Sequence, residues 1–306
     1  MEECINKTGY NYFMQPYFME SINSNIYPIK NRDYDKFSEL ANKFLVNDIK
    51  NINNIARIQC EINNEKFQSL PYNNLFEYTI SLINQHEKNK EYINDKIKFL
   101  DTIPKDELND FLKENKEANE YVNVIKSYSI NGVENEIFTM LEMLLKKKVT
   151  LVSNQIAILD NGIITGFINK DNFDEFREVV MRNNLLYKPL IGFNKVSNDV
   201  IQKTIEAKSN KGKHSSIESI LATISVNKNI SDEELQEYTR YRTMADFTAI
   251  TRQHFNQFYF VMKSVGCEGI EINDLSEEMS LYNNPYDGIL QKHNGYNSLD
   301  TKLKKG

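Results

Sequence analysis

The chain has 306 residues, 40% hydrophobic and 26% charged, with a formal net charge of -6. That composition is globular rather than disordered, and the length suits one large domain or two of ordinary size. The acidic balance gives no basic footprint for nucleic acid and disfavours an anionic membrane surface as a partner.

Residues 1–28 are rich in Asn, Tyr and Met and read as irregular up to Pro28. A helix opens at Asp33, with Phe37, Leu40, Ala41, Phe44 and Leu45 at i, i+3, i+4, i+7 and i+8. After an Asn-rich connection and Pro71, a second helix carries Leu75, Tyr78, Leu82 and Ile83, and a third carries Ile93, Ile97 and Leu100. Pro104 suits the opening turn of the next helix, which places Leu108, Phe111 and Leu112, then Tyr121, Val122 and Ile125, before Asn131-Gly132 breaks it. Ile137, Phe138, Leu141, Leu144 and Leu145 mark the last helix of an N-terminal helical region, residues 1–146; Lys146, Lys147 and Lys148 suit its C-terminus.

The period changes across KVTLVSNQIAILDNGIITGFI, where β-branched residues dominate. Asn161-Gly162 is a strong hairpin signal and Ser153-Asn154 offers a second turn, so residues 147–170 read as a small antiparallel hairpin or meander. A C-terminal helical region, 171–280, follows. It carries Phe173, Phe176, Val179 and Val180, then a short helix at Val200, Ile201 and Ile205, an exposed linker SNKGK at Ser209 to Lys213, and a helix at Ile217, Ile220, Leu221 and Ile224. Residues 281–306 are a polar tail with three glycines. The fold class is mainly α, a multi-helix protein with one small antiparallel β element near the middle.

Ser231 to Val265 is the strongest helical stretch. Ser231 with Glu234 forms a capping box, Asp232, Glu233, Glu234 and Glu237 favour the positive end of the dipole, and neither Pro nor Gly intervenes before Gly266. At 100° per residue, Leu235, Tyr238, Tyr241, Ala245 and Ala249 share one face. Met244, Phe247, Phe255, Phe258, Met262 and Val265 share another, turned by about 120°. Such a helix either kinks near Ala245-Asp246 or packs its two ends on different partners. Phe255, Phe258 and Met262 with Tyr259 beside them are interface-type residues, and equally the residues of an ordinary core helix. Pro285, Tyr286, Ile289 and Leu290 form a short apolar cluster in the tail, of the kind that orders on a partner. On that reading, truncation after Leu281 leaves the fold intact and weakens partner capture.

Chemical fingerprints are scarce. His86, His214, His254 and His293 stand far apart, without HxxxH or HxH spacing, so no metal site is expected. Gly212-Lys213-His214-Ser215 lacks both the hydroxyl directly after Lys and the earlier Gly of a P-loop, where Ala207 stands. GxGxxG and GxSxG do not occur; no cofactor and no catalytic centre are expected. Glu277-Glu278 reads as a solvated helix start. Asp246 near Arg242 reads as an i, i+4 ion pair, with a buried functional carboxylate as the alternative. Cys4, Cys60 and Cys267 lack CxxC spacing and read as reduced cytosolic thiols. The opening MEECINKTGY lacks a signal peptide's basic and apolar regions, and no apolar run reaches the ~18 residues of a membrane span.

Four stretches, YPIKNRDYDKFSELANKFL from Tyr27, NFDEFREVVMRNNLL from Asn172, ISDEELQEYTRYRTMADF from Ile230 and NPYDGIL from Asn284, carry a family resemblance. With them the chain resembles tail assembly chaperones and tail morphogenesis proteins of tailed bacteriophages from low-GC hosts; the abundance of Asn, Lys and Ile fits an AT-rich genome. The resemblance implies a non-enzymatic late protein of the infected host's cytoplasm, which binds the tape measure protein and tail tube subunits, with self-association left open. The N-terminal helical half is extra relative to those proteins. A permanent virion subunit of baseplate, connector or neck is the alternative, and a host-takeover or anti-defence protein a remoter one.

Overall fold

The computed structural model describes residues 15–116, 118, 119, 122, 133–211, 215–269, 281 and 282. Strands β1 (Tyr17–Met19) and β2 (Ser24–Ile26) pair antiparallel around a 3-10 turn, Glu20–Ile22. Helix α1 (Asn31–Ala41) runs into a π turn, Asn42–Val46, and α2 (Ile49–Asn63), α3 (Leu75–Asp101), α4 (Lys105–Glu114) and α5 (Val133–Leu145) follow. A three-stranded antiparallel sheet, β3 (Lys148–Val152), β4 (Gln155–Asp160) and β5 (Ile163–Ile168), comes next. The chain continues as α6 (Phe173–Asn183), α7 (Lys195–Lys211), α8 (Ile217–Lys228), α9 (Asp232–Gln236) and α10 (Arg240–Ser264). The protein is mainly α with small β elements.

The sheet lies where the β-branched run places it. Both turns have positive φ at their two central residues, Ser153 at 49° with Asn154 at 60° and Asn161 at 50° with Gly162 at 82°. That is the turn geometry whose twist matches a right-handed hairpin. One bulge at Ile158/Leu159 shifts the register between β4 and β5.

Two compact units divide the chain, one of Met1–Leu45 with Tyr72–Asn183 and the other of Val46–Pro71 with Asn184–Gly306. In the first, α5 is the hub, packing on α3, α1, β2 and β3. Ile137, Met140, Leu141, Leu144 and Leu145 are accordingly all buried, and Phe37 and Phe176 are the largest fully buried side chains. The Leu144 carbonyl accepts from Tyr27 N–H at 2.7 Å, and Arg177 Nε donates to the Leu45 carbonyl, so helix ends are satisfied inside the unit.

In the second unit α2 packs on α7 and α8 packs on α10. A cluster of Ile220, Ile224, Leu235, Tyr238 and Ile250 joins α8, α9 and the first half of α10, with Met244 and Phe247 against it. The Asp48 side chain caps α2 by accepting from Asn51 N–H at 2.8 Å, and Lys188 pairs with its other oxygen.

Several expectations are corrected. The expected irregular start contains the β1–β2 hairpin, whose turn closes at Asn23 in the left-handed region, φ 48°. Residues 49–63, expected as an Asn-rich connection, are helix α2. Its Asn51 and Asn54 face inward and donate to the carbonyls of Pro189 and Ile191, at 2.8 and 3.5 Å. The two helices expected between Leu75 and Leu100 are one, α3, because the polar stretch between them contains no breaker. Helix α7 runs on to Lys211, into the expected linker.

The long helix from Ser231 is broken, at Glu237–Thr239 rather than near Ala245. Thr239 Oγ1 accepts from Arg242 N–H at 3.2 Å and starts a new helix, as Ser231 Oγ does for Glu234 N–H at 3.2 Å. A second cap, not Gly or Pro, makes the break. Gly266, φ 91°, ends α10 as expected, with Cys267 N–H donating to Met262 and Gly266 N–H to Lys263.

Candidate functional site

The first half of α10 is a core helix and the second half is not. Tyr241, Ala245, Asp246 and Ile250 are buried, whereas Phe255 is 50%, Phe258 56% and Val265 71% exposed. Tyr259 and Met262 are half-buried. The rings of Phe255 and Tyr259 stack with centroids 6.0 Å apart, and the Phe258 ring also lies 6.0 Å from Tyr259. Phe255, Phe258 and Tyr259 thus form one aromatic group along successive turns, with Met262 on the following turn of the same face. The tail residues Pro285, Tyr286, Ile289 and Leu290 lie outside the described residues, as do His214, His293, Cys4 and Glu277-Glu278.

Three further arrangements lie in this unit, and only the Asp246–Arg242 part of the second is signalled in the sequence. The Arg57 guanidinium lies over the rings of Phe67 and Phe193, 4.4 and 3.8 Å from their centroids, which holds the connection after α2 and the one before α7 to α2 itself. Asp246 is buried and its Oδ2 lies 2.5 Å from Lys228 Nζ, with Arg242 Nε at 3.9 Å. The expected i, i+4 partner is therefore the lesser one, and Lys228 of α8 is the closer.

The third arrangement is a reciprocal clasp. Tyr187 and Tyr282 stack at 4.9 Å and 18°, Tyr282 OH donates to the Leu186 carbonyl at 3.0 Å, and Tyr187 OH donates to the Leu281 carbonyl at 3.1 Å. Truncation after Leu281 removes Tyr282, so it is not the neutral cut the sequence suggests. Tyr282→Ala is expected to destabilise the protein by about 2 kcal/mol, from one stack and one hydrogen bond. Tyr282→Phe should cost about half of that, and thermal melts of the two variants check the order.

In the first unit a cleft of about 550 Å³ is lined by Phe76, Ile80 and Asn84 of α3, with Tyr72, Asn154 and Lys170 around them. Its Ser81 hydroxyl donates to the Tyr78 carbonyl at 2.7 Å, and Glu77 accepts from Asn73 N–H at 3.0 Å. Both polar groups are thus committed to local backbone, not aimed at each other as a nucleophile and base. Burial raises the Tyr78 phenol above its ordinary value, with Tyr72 adding to the shift. Among the described residues no group of three His, Cys, Asp or Glu is placed to hold a metal ion, and no helix is long and apolar enough to cross a membrane. Comparison with protein-family models, curated proteins and solved structures returns no match.

Proposed function

We propose that this is a non-enzymatic morphogenesis protein of a tailed bacteriophage, a tail assembly chaperone that binds tape measure protein and tail tube subunits in the cytoplasm of the infected host. The observation that supports a binding role is the aromatic face of α10, where Phe255 and Phe258 are each at least half exposed beside the Tyr259 ring. Large apolar side chains left exposed along one helix half, Phe260 and Val261 among them, are the signature of a surface that another chain covers. The phage context rests on the resemblance of the four stretches given above. A helical face of this kind suits shielding of another chain's apolar helix until assembly.

Mass spectrometry of lysate and of purified particles tests the role. The protein is expected in the lysate during late expression and absent from finished particles. A fixed copy number in the particle would make it a permanent baseplate, connector or neck subunit instead. Capture of host proteins, with no tail protein among them, would favour the host-takeover reading.

A further inference from the structure

The cleft of the first unit draws its lining from α3 and the residue Tyr72 before it, from the β3–β4 turn with Gln155, and from the β5–α6 connection, Asn169 to Asp171. These segments are pinned. Asn84 Nδ2 donates to Asn154 Oδ1 at 3.0 Å, which ties α3 to the turn. In the connection, Asp171 N–H donates to Asn169 Oδ1 and Asn169 N–H to Asn172 Oδ1, both at 2.9 Å. Tyr72 is held against Tyr78, ring centroids 5.5 Å apart at 61°. Several lining groups are nevertheless left uncommitted. Among the described residues, nothing pairs with the Gln155 amide, the Tyr72 hydroxyl, the Lys170 ammonium or the Asp171 carboxylate, and Gln155 and Tyr72 are half-buried.

We propose that this cleft binds a neutral, hydroxyl-rich ligand of the size of a mono- or disaccharide. The site is independent of the role argued for α10. Its volume lies within the range of small-molecule sites, about 300–1,000 Å³. Such sites are mostly apolar with a few polar groups, whereas here planar amides and carboxylates outnumber Tyr72, Phe76 and Ile80. That excess selects the ligand. A sugar hydroxyl both donates and accepts, and two neighbouring hydroxyls match the paired atoms of an amide or carboxylate, as at Gln155 and Asp171. The C–H face of the ring can then lie on the aromatic and aliphatic part of the lining. A phosphorylated ligand is the poorer occupant. Among the described residues that line the cleft Lys170 is the only cation, and Asp171 and Glu77 carry the opposite charge. An apolar ligand is poorer still, because it would strip water from Gln155 and Tyr72 without replacing its hydrogen bonds.

Saturation-transfer NMR with the full chain tests this, using glucose, galactose, N-acetylglucosamine, maltose and lactose as probes and AMP and alanine as controls. Transfer is expected to at least one sugar, strongest at its ring C–H protons, with a dissociation constant of about 1 mM, because hydroxyls exchange water for protein partners at little net gain. Gln155→Ala and Asp171→Ala should each weaken that sugar about fivefold, the effect of one hydrogen-bonding group. Neither should move the thermal melt, since neither side chain has a partner among the described residues. Lys170→Ala should leave sugar affinity within about twofold, whereas a phosphate or a zwitterion held by that cation would be lost. Silence from all the sugars at about 20 mM overturns the proposal. Transfer to AMP or alanine alone, abolished in Lys170→Ala, overturns it in favour of an anionic ligand. Sugar transfer that survives both Gln155→Ala and Asp171→Ala puts the sugar elsewhere on the protein and overturns it as well.

Discussion

Gly166→Ala is expected to be among the most damaging single-methyl changes in this protein, costing roughly 3 kcal/mol or more. An alanine Cβ at this position in β5 would stand 1.9 Å from the Ile22 carbonyl oxygen and 2.8 Å from its carbon. The obstacle is backbone, so no rotamer change relieves it. The Glu20–Ile22 turn is also tied to β5 on both sides. Asn23 Nδ2 donates to the Thr165 carbonyl at 3.0 Å, and Asn172 Nδ2 donates to the carbonyls of Ser21 and Phe167 at 3.1 and 2.9 Å. Moving the turn away to admit a methyl group stretches those bonds and draws the buried Ile22 out of the core. Overpacking alone costs about 1–3 kcal/mol and each lost hydrogen bond about 1 kcal/mol more. Gly162→Ala is the control: nothing lies near its Cβ, but φ is +82°, so only the left-handed backbone resists, at about 1–2 kcal/mol. Urea unfolding of both variants checks the order; a Gly166→Ala midpoint no lower than that of Gly162→Ala would show that the turn yields freely.

That contact is invisible in the sequence, and the reason separates what can be read there from what cannot. The β3–β5 meander is legible because local chemistry decides it: two residue pairs tolerant of positive φ between β-branched runs. The apolar faces of α1, α5 and α6 are legible because their burial follows the helical period. Helix α2 is not, because asparagines supply part of its buried face and the search for periodicity counts only apolar side chains. The break at Thr239 carries a cap residue but no breaker, so local sequence permits either one helix or two. Of the candidate surface, the identity of Phe255, Phe258, Tyr259 and Met262 is legible. Their exposure is not, since the same residues line ordinary cores, and packing on α8 stops partway along α10.

Lys228→Met is expected to loosen the corner that sets that exposed half in place. Asp246 has a side chain only 10% exposed, and Lys228 is its nearest cation at 2.5 Å. The contact is an ion pair without hydrogen-bond alignment. Removing the lysine leaves a buried carboxylate whose remaining cation among the described residues is Arg242, 3.9 Å away and 44% exposed, with its guanidinium engaged on the Tyr238 ring at 4.0 Å. Stranding one member of a fully buried pair costs about 3–5 kcal/mol. Because Lys228 is 36% exposed and Arg242 remains, we expect about 2 kcal/mol here. Asp246→Leu should cost less, since the stranded group is then a lysine able to turn into water. The double variant should be more stable than Lys228→Met alone, because no unpaired charge stays buried, and the cycle should return a coupling of about 1 kcal/mol or more. The opposite order, with Asp246→Leu the worse of the two singles, would mean that Arg242 swings across and is the true partner.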